Sequence, residues 1–200
     1  FRKIYSESQP GNTGGNIGRS DALTRQRENL RPNKENISNW SEYITPEMEK
    51  KAEEANWGVQ PQMLGALRFN WSTPFILSPH NPRTLFVGAN HLIMSVDGGQ
   101  SYRLISPDLT QNDPERTSRR SGGLTPVENP GGGAEYHATI ITISESTVEP
   151  GQIWIGTDDG NIQVTRDYGK TWNKVGTAGM PGNPRPDIWV SRVEASKFHN

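Results

Sequence analysis

From residue 68 onward, short apolar runs alternate with turn-forming residues, a pattern typical of short β-strands. Each run is bounded by Gly, Pro, Asn, Asp or Ser, which favour turns for different stereochemical reasons. Gly and Pro together make up 36 of the 200 residues, which also disfavours a helical bundle. The pattern predicts an antiparallel all-β fold with strands at Pro74–Ser78, Thr84–Gly88, His91–Val96, Tyr102–Ser106, Thr139–Ser144, Gln152–Gly156, Asn161–Arg166, Thr171–Val175 and Trp189–Ser196.

Residues 1–60 have a different pattern, because their apolar residues are scattered among Asn, Ser, Glu and Arg. We predict mostly irregular structure in this part, with one helix from about Pro46 to Asn56. Thr45 is a suitable N-cap and Pro46 suits the first helical position. Glu47 and Glu49 then complement the positive end of the helix dipole.

The strand pattern repeats along the chain. Leu85–Gly88 aligns with Ile153–Gly156, His91–Ser95 aligns with Asn161–Thr165, and a third copy begins at Trp189–Ser196. Two complete four-strand units and the start of a third are the signature of a β-propeller, in which each unit is one blade. Because a ring needs at least about four blades, we expect remaining blades of the same polypeptide or a partner chain to complete it.

One eight-residue pattern, S/T-x-D-x-G-x-S/T-aromatic, forms the third turn of each complete unit. The Asp can accept backbone N–H groups of the turn, the glycine can take a positive φ, the hydroxyls can tie the turn's ends, and the aromatic can pack beneath. This chemistry predicts a structural staple, with a catalytic carboxylate as the alternative. The residues are Ser95, Asp97, Gly99, Ser101 and Tyr102 in the first copy and Thr165, Asp167, Gly169, Thr171 and Trp172 in the second.

This octapeptide resembles the Asp-box, or BNR motif, of sialidases, several glycoside hydrolases and sortilin-like (VPS10-type) propellers. The strings Phe69–Pro74, Leu77–Pro82, Leu85–Asn90 and Ile153–Gly160 look like secreted BNR-repeat propeller proteins of the sortilin-like kind. The resemblance covers roughly residues 68–200. It implies a β-propeller and an extracellular, periplasmic or cell-surface location. Such proteins are often called glycosyl hydrolase-like, but a fold does not determine a function.

The same alignment divides the chain into five segments. We expect a degenerate blade remnant with an insertion and a short helix at 1–67, and a blade at 68–107. A long Gly-rich connecting loop follows at 108–137, then a second blade at 138–178 and the start of the next at 179–200.

Charge and composition exclude several classes of function. The chain has 22 acidic and 21 basic residues, so it lacks the basic surface that nucleic-acid binding needs. No apolar run approaches the ~20 residues that span a bilayer. The absence of cysteine excludes disulfides, thiolate zinc sites and cysteine nucleophiles. No histidine lies in a cluster with metal-site spacing, so we predict neither a metal nor a cofactor.

The octapeptides indicate which end of the units to inspect for a site. In a four-strand antiparallel unit, the first and third turns lie at one end, and the second turn and the connection between units lie at the other. Loops at that other end are where binding residues concentrate. Our binding candidates there are Asn70, Trp71, Asn90, His91, Tyr136, His137 and Trp189, of which the two tryptophans can stack on a sugar ring if exposed.

Three carboxyl groups at the same end are the local candidates for catalysis: Glu135, Asp158 and Asp159. Two carboxyls ~5–9 Å apart, from different blades if necessary, are what glycoside hydrolysis needs. The Asp158-Asp159-Gly160 sequence also has the composition of a hairpin turn, which is the alternative interpretation.

The sequence therefore favours a non-enzymatic module that binds a protein, peptide or glycan, because no catalytic constellation stands out from turn chemistry. The first alternative is a glycoside hydrolase, sialidase-like or glucanase-like. The sialidase version lacks the expected arginine cluster, since only Arg68 and Arg192 lie near inner-strand starts. The second alternative is a structural component of a cell-surface assembly.

Overall fold

A computed structural model describes residues 2–7, 16–54, 67–113, 137–175 and 188–198. Within these residues, eleven strands form three antiparallel sheets, accompanied by two short helices. The all-β fold class agrees with the prediction. The three sheets do not close into a ring among the described residues. No helix in these ranges is long and apolar enough to cross a membrane.

Each sheet is an up-and-down meander of consecutive strands. The first sheet contains β1 (Lys3–Glu7), β2 (Ile17–Asp21) and β3 (Arg27–Asn29). The second contains β4 (Phe75–Leu77), β5 (Leu85–Gly88), β6 (Leu92–Ser95) and β7 (Arg103–Leu104). The third contains β8 (Ile140–Glu145), β9 (Ile153–Thr157), β10 (Ile162–Thr165) and β11 (Asn173–Lys174). Between the first two sheets come α1 (Trp40–Tyr43) and α2 (Pro46–Glu54).

The N-terminal part departs from the prediction of mostly irregular structure, because it forms the first sheet. β1 and β2 pair over five residues, from Lys3 opposite Asp21 to Glu7 opposite Ile17. Helix α2 begins at the predicted Pro46, and the Thr45 hydroxyl accepts a 3.3 Å hydrogen bond from the Met48 amide. Asn56, the predicted end of this helix, lies outside the described residues.

The run Trp189–Ser196, predicted as a strand, is not one. Its Val193 amide donates to the Thr142 hydroxyl (3.2 Å) and its Ala195 amide to the Ser144 hydroxyl (3.0 Å), both on β8. Bonds to side-chain hydroxyls replace the backbone ladder, so the segment lies along the third sheet without extending it.

Hydrophobic side chains fill the spaces between neighbouring sheets. In β5, alternate residues point to opposite faces: Leu85 and Val87 belong to the cluster shared with the first sheet, and Phe86 to the cluster shared with the third. The second sheet is therefore buried on both faces, which explains why β5 reads as a continuous apolar run.

Two glycines permit the close approach of successive units. A Cβ on Gly88 would lie 2.7 Å from Pro74 Cγ and 2.9 Å from a methyl carbon of Ile140. A Cβ on Gly156 would lie 2.5 Å from a methyl carbon of Val190 and 2.8 Å from Thr142. The same contact thus recurs between the second and third sheets and between the third sheet and the segment that follows it.

The outer edge of the second sheet is covered by the chain just before α1. Ile37 forms a parallel bridge with Tyr102. The buried Asn39 side chain then acts like a strand partner, since its Oδ1 accepts the Leu104 amide (2.9 Å) and its Nδ2 donates to the Leu104 carbonyl (3.0 Å). This cover satisfies an edge that would otherwise expose unpaired backbone groups.

Candidate functional site

The loops β5–β6 and β9–β10 lie at the end of the sheets opposite the octapeptide turns, which we call the mouth end. A buried polar network connects them with the start of β8. Asn70 Nδ2 donates to Thr139 Oγ1 (3.1 Å), and Thr139 Oγ1 donates to Asp158 Oδ2 (2.9 Å). The Thr139 amide donates to the other oxygen of Asp158 (2.8 Å). Next to Asp158, the Thr157 carbonyl accepts the Val190 amide (3.0 Å).

Asp158 is almost completely buried, with 1% exposure. Burial raises the pKa of its carboxyl to about 7, although the two hydrogen bonds from Thr139 lower it, and the neighbouring charge of Asp159 adds to the rise. The value suits an acid at neutral pH. Both oxygens, however, are engaged by Thr139, so the described arrangement does not present the proton to a ligand.

Asp159 holds the chain that leaves the second sheet. Its Oδ2 accepts the Gln111 amide (2.7 Å), and its Oδ1 accepts the Thr157 hydroxyl (2.5 Å). The Gln111 side-chain amide also donates to the Asp159 carbonyl. Through these contacts Asp159 binds the connecting segment at Gln111 to the β9–β10 loop.

Arg68 is a second organising residue at the mouth end. Its guanidinium pairs with Asp108 (2.7 Å) and donates to the Ala138 carbonyl (3.2 Å), while its backbone amide donates to Asn90 Oδ1 (2.9 Å). Burial raises the pKa of Asp108, but the Arg68 charge and hydrogen bonds from Thr110 and others outweigh it, so the net direction is down. Arg68 therefore joins the second sheet to the residue preceding Thr139.

His91 lies in the β5–β6 loop with 2% exposure, and its Nδ1 lies 3.0 Å from the Ser106 carbonyl, which it reaches as an N–H donor. Burial lowers the pKa of the imidazole, which favours the neutral form of the ring. Its ring forms a T-shaped pair with the ring of Tyr43, with 6.3 Å between the centroids. Among the described residues, no group of three His, Cys, Asp or Glu side chains could hold a metal ion.

Two tryptophans at the mouth end are exposed, Trp71 by 37% and Trp189 by 48%. They occupy equivalent positions, since each lies seven residues before a serine, Ser78 or Ser196. Each serine hydroxyl accepts the amide two residues later, at 3.2 Å from His80 and 3.1 Å from Phe198. The Ser146 hydroxyl accepts the Val148 amide at 3.2 Å in the same way. The residue seven positions before Ser146 is Thr139, so Thr139 occupies in the third unit the position that Trp71 and Trp189 occupy in the second unit and in the last segment.

The structure thus separates the predicted candidates into two groups. Asn70, Asn90, His91, Asp158 and Asp159 are buried in hydrogen-bonded structure, and Trp71 and Trp189 are exposed. His137 is half-buried. Glu135 and Tyr136 lie outside the described residues. Sequence reasoning missed Thr139, Asp108 and Gln111, whose positions near predicted strand ends were their only signal.

At the opposite end, each octapeptide is organised around its aspartate. Asp97 accepts the hydroxyls of Ser95 (2.7 Å) and Ser101 (2.6 Å) as well as the amides of Gln100 (2.9 Å) and Ser101 (3.0 Å). Burial raises the pKa of Asp97, but these four hydrogen bonds outweigh it and the pKa falls below its usual range.

The second octapeptide has the same geometry. Asp167 accepts the hydroxyls of Thr165 (2.8 Å) and Thr171 (2.6 Å) and the amide of Thr171 (2.9 Å). These bonds, led by that of the Thr171 hydroxyl, lower the pKa of Asp167 to about 2. In both turns the glycine amide donates to the first hydroxyl at 2.8 Å, from Gly99 to Ser95 and from Gly169 to Thr165.

No family model and no curated protein matches the chain. Among solved structures, it is similar to the GH74 enzyme of Niastella koreensis, with a TM-score of 0.29 and 10% identity over 98% of this chain. The chain spans 36% of the length of that enzyme. Similarity at this level assigns neither a family nor an activity, and none of these comparisons supports a sortilin-like assignment.

Proposed function

We propose that this chain is an arc of a β-propeller whose mouth end binds a glycan by stacking on Trp71 and Trp189. The observation that carries the proposal is the exposure of these two indoles at equivalent positions of a repeat, whereas the other described mouth-end candidates are buried or half-buried. Binding of this kind needs no catalysis. A glycan ligand also suits the extracellular, periplasmic or cell-surface location that we propose.

The propeller assignment is supported by contacts that repeat from unit to unit. The Ile140 amide donates to the Ala89 carbonyl (2.8 Å), and the Val190 amide donates to the Thr157 carbonyl (3.0 Å). Ala89 and Thr157 each follow the close-packed glycine of β5 or β9. The same bond therefore joins the second sheet to the third and the third sheet to the segment that follows it, as expected for blades placed around an axis.

Stacking is supported by hydrogen bonds that hold the residues next to the two indoles. Trp71 follows Asn70, which bonds to Thr139, and Trp189 precedes Val190, which bonds to Thr157 beside Asp158. An exposed indole on a fixed backbone loses little conformational freedom on binding a flat, partly apolar surface. Sugar rings present such a surface through their C–H faces.

The test is a calorimetric titration of the purified chain with soluble neutral hexaoses of glucose, xylose and mannose, which does not depend on the tryptophans as reporters. We expect saturable binding of at least one hexaose. Trp71→Ala and Trp189→Ala are each expected to weaken it about two- to tenfold, the effect of ~0.5–1.5 kcal/mol of stacking. Trp→Phe at either position keeps a ring and should restore part of the affinity.

Val96→Ala serves as the control, because Val96 is 60% exposed but lies in an octapeptide turn at the opposite end. It should bind the hexaose as the parent chain does. Equal affinity of the parent and the Trp71→Ala/Trp189→Ala double variant would disprove stacking at this site. Binding of none of the hexaoses would reject the glycan and leave a peptide or protein ligand as the candidate.

Hydrolysis is a second candidate function because the pKa of Asp158, raised to about 7, suits a general acid at neutral pH. Both Asp158 oxygens would first have to leave Thr139. If the chain releases reducing ends from a bound hexaose, Asp158→Asn should abolish the release while the calorimetric affinity for the hexaose is unchanged. Release at the parental rate in Asp158→Asn would remove Asp158 from any catalytic role.

A further inference from the structure

The β5–β6 and β9–β10 loops close through the same kind of backbone bond, although the second loop is two residues longer. In the first loop, the Ala89 amide donates to the His91 carbonyl (2.9 Å). In the second, the Thr157 amide donates to the Asn161 carbonyl (3.0 Å). The side chains of His91 and Asn161 are both buried, with 2% exposure. Equivalent positions of two successive units thus enclose different polar side chains.

Each of these two side chains donates one hydrogen bond and keeps a second polar atom unpaired. His91 Nδ1 donates to the Ser106 carbonyl (3.0 Å), and Asn161 Nδ2 donates to the Leu109 carbonyl (2.8 Å). No group of the described residues bonds to His91 Nε2 or to Asn161 Oδ1, and both atoms are buried. Both are acceptors, because the proton of the neutral imidazole lies on Nδ1. Only the imidazole can take up a further proton near neutral pH.

The groups around His91 come from three elements. Tyr43 of α1 forms the T-shaped ring pair with it, Asp108 comes from the segment after β7, and Arg68 comes from the segment before β4. Burial has the largest effect on the imidazole and lowers its pKa. The Ser106 carbonyl and the Asp108 charge raise this pKa, and the Arg68 charge lowers it, so the net direction is down.

The Asp108 carboxylate is already occupied by other donors. One oxygen accepts the Arg68 guanidinium (2.7 Å) and Asn90 Nδ2 (3.1 Å). The other accepts the hydroxyl (2.5 Å) and the amide (3.0 Å) of Thr110. A proton on His91 Nε2 would therefore create a buried N–H without an acceptor among the described residues, which is unfavourable.

We propose that His91 is an acid-sensitive contact: a proton taken up from solvent at Nε2 moves the ring away from Tyr43 and the Ser106 carbonyl and opens the β5–β6 loop. The β9–β10 loop does not respond in this way, because Asn161 does not titrate. This inference goes beyond glycan binding and does not depend on it.

The direction of the pH effect follows from the lowered pKa. Above about pH 6.5 the imidazole is neutral in the open and in the closed loop, so the closed loop keeps its full stability. As the pH falls below about 6.5, the open loop takes up a proton that the closed loop does not. Opening therefore becomes more favourable until the pH reaches the lower pKa of the closed loop.

The test is amide hydrogen exchange of the full chain at pH 7 and pH 5.5, followed by NMR and corrected for the intrinsic exchange rates. We expect the protection of Ala89 to fall several-fold at pH 5.5. The upper limit is about tenfold, the effect of one proton taken up by a group with a pKa of ~6.5. The Leu109 amide, which donates to the Asn90 carbonyl (2.9 Å), should follow Ala89. Thr157 is the internal control and should lose no protection.

His91→Asn is the matched variant, because it places the side chain of the third unit in the second. It should abolish the acid-dependent loss at Ala89, whatever its stability at pH 7. The imidazole signals of the parent chain give an independent measurement, and His91 should show a pKa below the ordinary ~6.5. Equal acid responses of Ala89 and Thr157 in the parent would overturn the proposal even if the variant failed to fold. An acid response of Ala89 that persists in His91→Asn would do the same.

Discussion

At the scale of single residues, the pKa values of three aspartates shift in opposite directions because their surroundings differ. The octapeptide carboxylates accept several N–H and O–H groups near the surface, which stabilises the charge, so the pKa values of Asp97 and Asp167 fall. Asp158 accepts two such groups but is deeply buried, and its pKa rises. Chemically identical side chains in turns thus make opposite contributions to the pH dependence of stability.

Removal of the Asp97 carboxylate should destabilise the fold. Asp97→Ala leaves two hydroxyls and two turn amides without their acceptor, at a cost of about 1–2 kcal/mol. The melting temperature, measured by circular dichroism, should fall by roughly 2–8 °C. Val96→Ala, at the adjacent exposed position, should change it little. A loss of hexaose binding by Asp97→Ala at unchanged stability would contradict the structural role.

Asp158 should make the protein less stable as the pH rises. Between about pH 4 and about 7, the folded chain keeps a proton on Asp158 that the unfolded chain releases, so the free energy of unfolding decreases with pH. Asp158→Asn, which stays neutral, should remove this decline in urea unfolding series at pH 4, 5.5 and 7. An unchanged slope in the variant would show that Asp158 titrates normally.

Asp167 should have the reverse effect at lower pH. Its pKa of about 2 lies below the unfolded value, so its stabilisation is complete above about pH 4 and is lost as the pH falls through about 2. In Asp167→Asn the acid limb of the stability profile should be shallower than in the parent. Urea unfolding of the parent and of Asp167→Asn, with the pH series extended down to pH 2, measures this difference in slope.

At the scale of elements, backbone contacts between sheets depend on a few small residues. Gly88 and Gly156 let the next unit approach, and Asn39 closes the outer edge of the second sheet. The apolar strands can be predicted from their continuous runs of apolar residues. The polar first sheet does not, since β1 and β3 keep most side chains exposed and include Lys3, Glu7 and Glu28.

Gly88→Ala should destabilise the interface between the second and third sheets. The added methyl would lie 2.7 Å from Pro74 and 2.9 Å from Ile140, so both side chains must move. We expect this to lower the free energy of unfolding by about 1–3 kcal/mol. Gly18→Ala is the matched control, because the nearest atom to its Cβ, Ser6 Oγ, lies at an ordinary 3.6 Å. Equal melting temperatures for the two variants would refute the close approach.

Asn39→Ala should test whether the segment before α1 covers the outer edge of the second sheet. It leaves the Leu104 amide and carbonyl without partners, at about 2–4 kcal/mol for the two groups. Hydrogen exchange at Leu104 should accelerate more than elsewhere in the second sheet. Ser41→Ala, at an exposed position of α1, should leave both stability and exchange unchanged. Parental exchange at Leu104 in Asn39→Ala would contradict this edge role.

At the scale of the whole molecule, the units are joined by a small set of bonds that repeat at equivalent positions. One set lies at the mouth end, from Ile140 to Ala89 and from Val190 to Thr157. Another lies where an octapeptide aromatic meets the preceding sheet, from Tyr102 to Leu30 and from Trp172 to Ile105. A molecule of this kind gains stability from the interfaces between neighbouring units.

The sequence by itself determined the features that depend on neighbours along the chain. The β-strand runs, the α2 start at Pro46, the turn chemistry around Asp97 and Asp167, and the repeat itself all follow from local propensity and spacing. The strands, the helix start and the turns depend on interactions within about ten residues, so one segment carries their whole signal, and the repeat follows from comparing such segments along the chain.

Only the tertiary structure decided which mouth-end residues are exposed and which are buried. Asn70 and Asp158 are polar yet buried, because Thr139, far from both in sequence, supplies their hydrogen bonds. Trp71 and Trp189 are apolar yet exposed, whereas Trp40 is buried and Trp172 packs against a core cluster. Burial depends on what the adjacent sheet places opposite a side chain, and that information lies outside the segment that carries it.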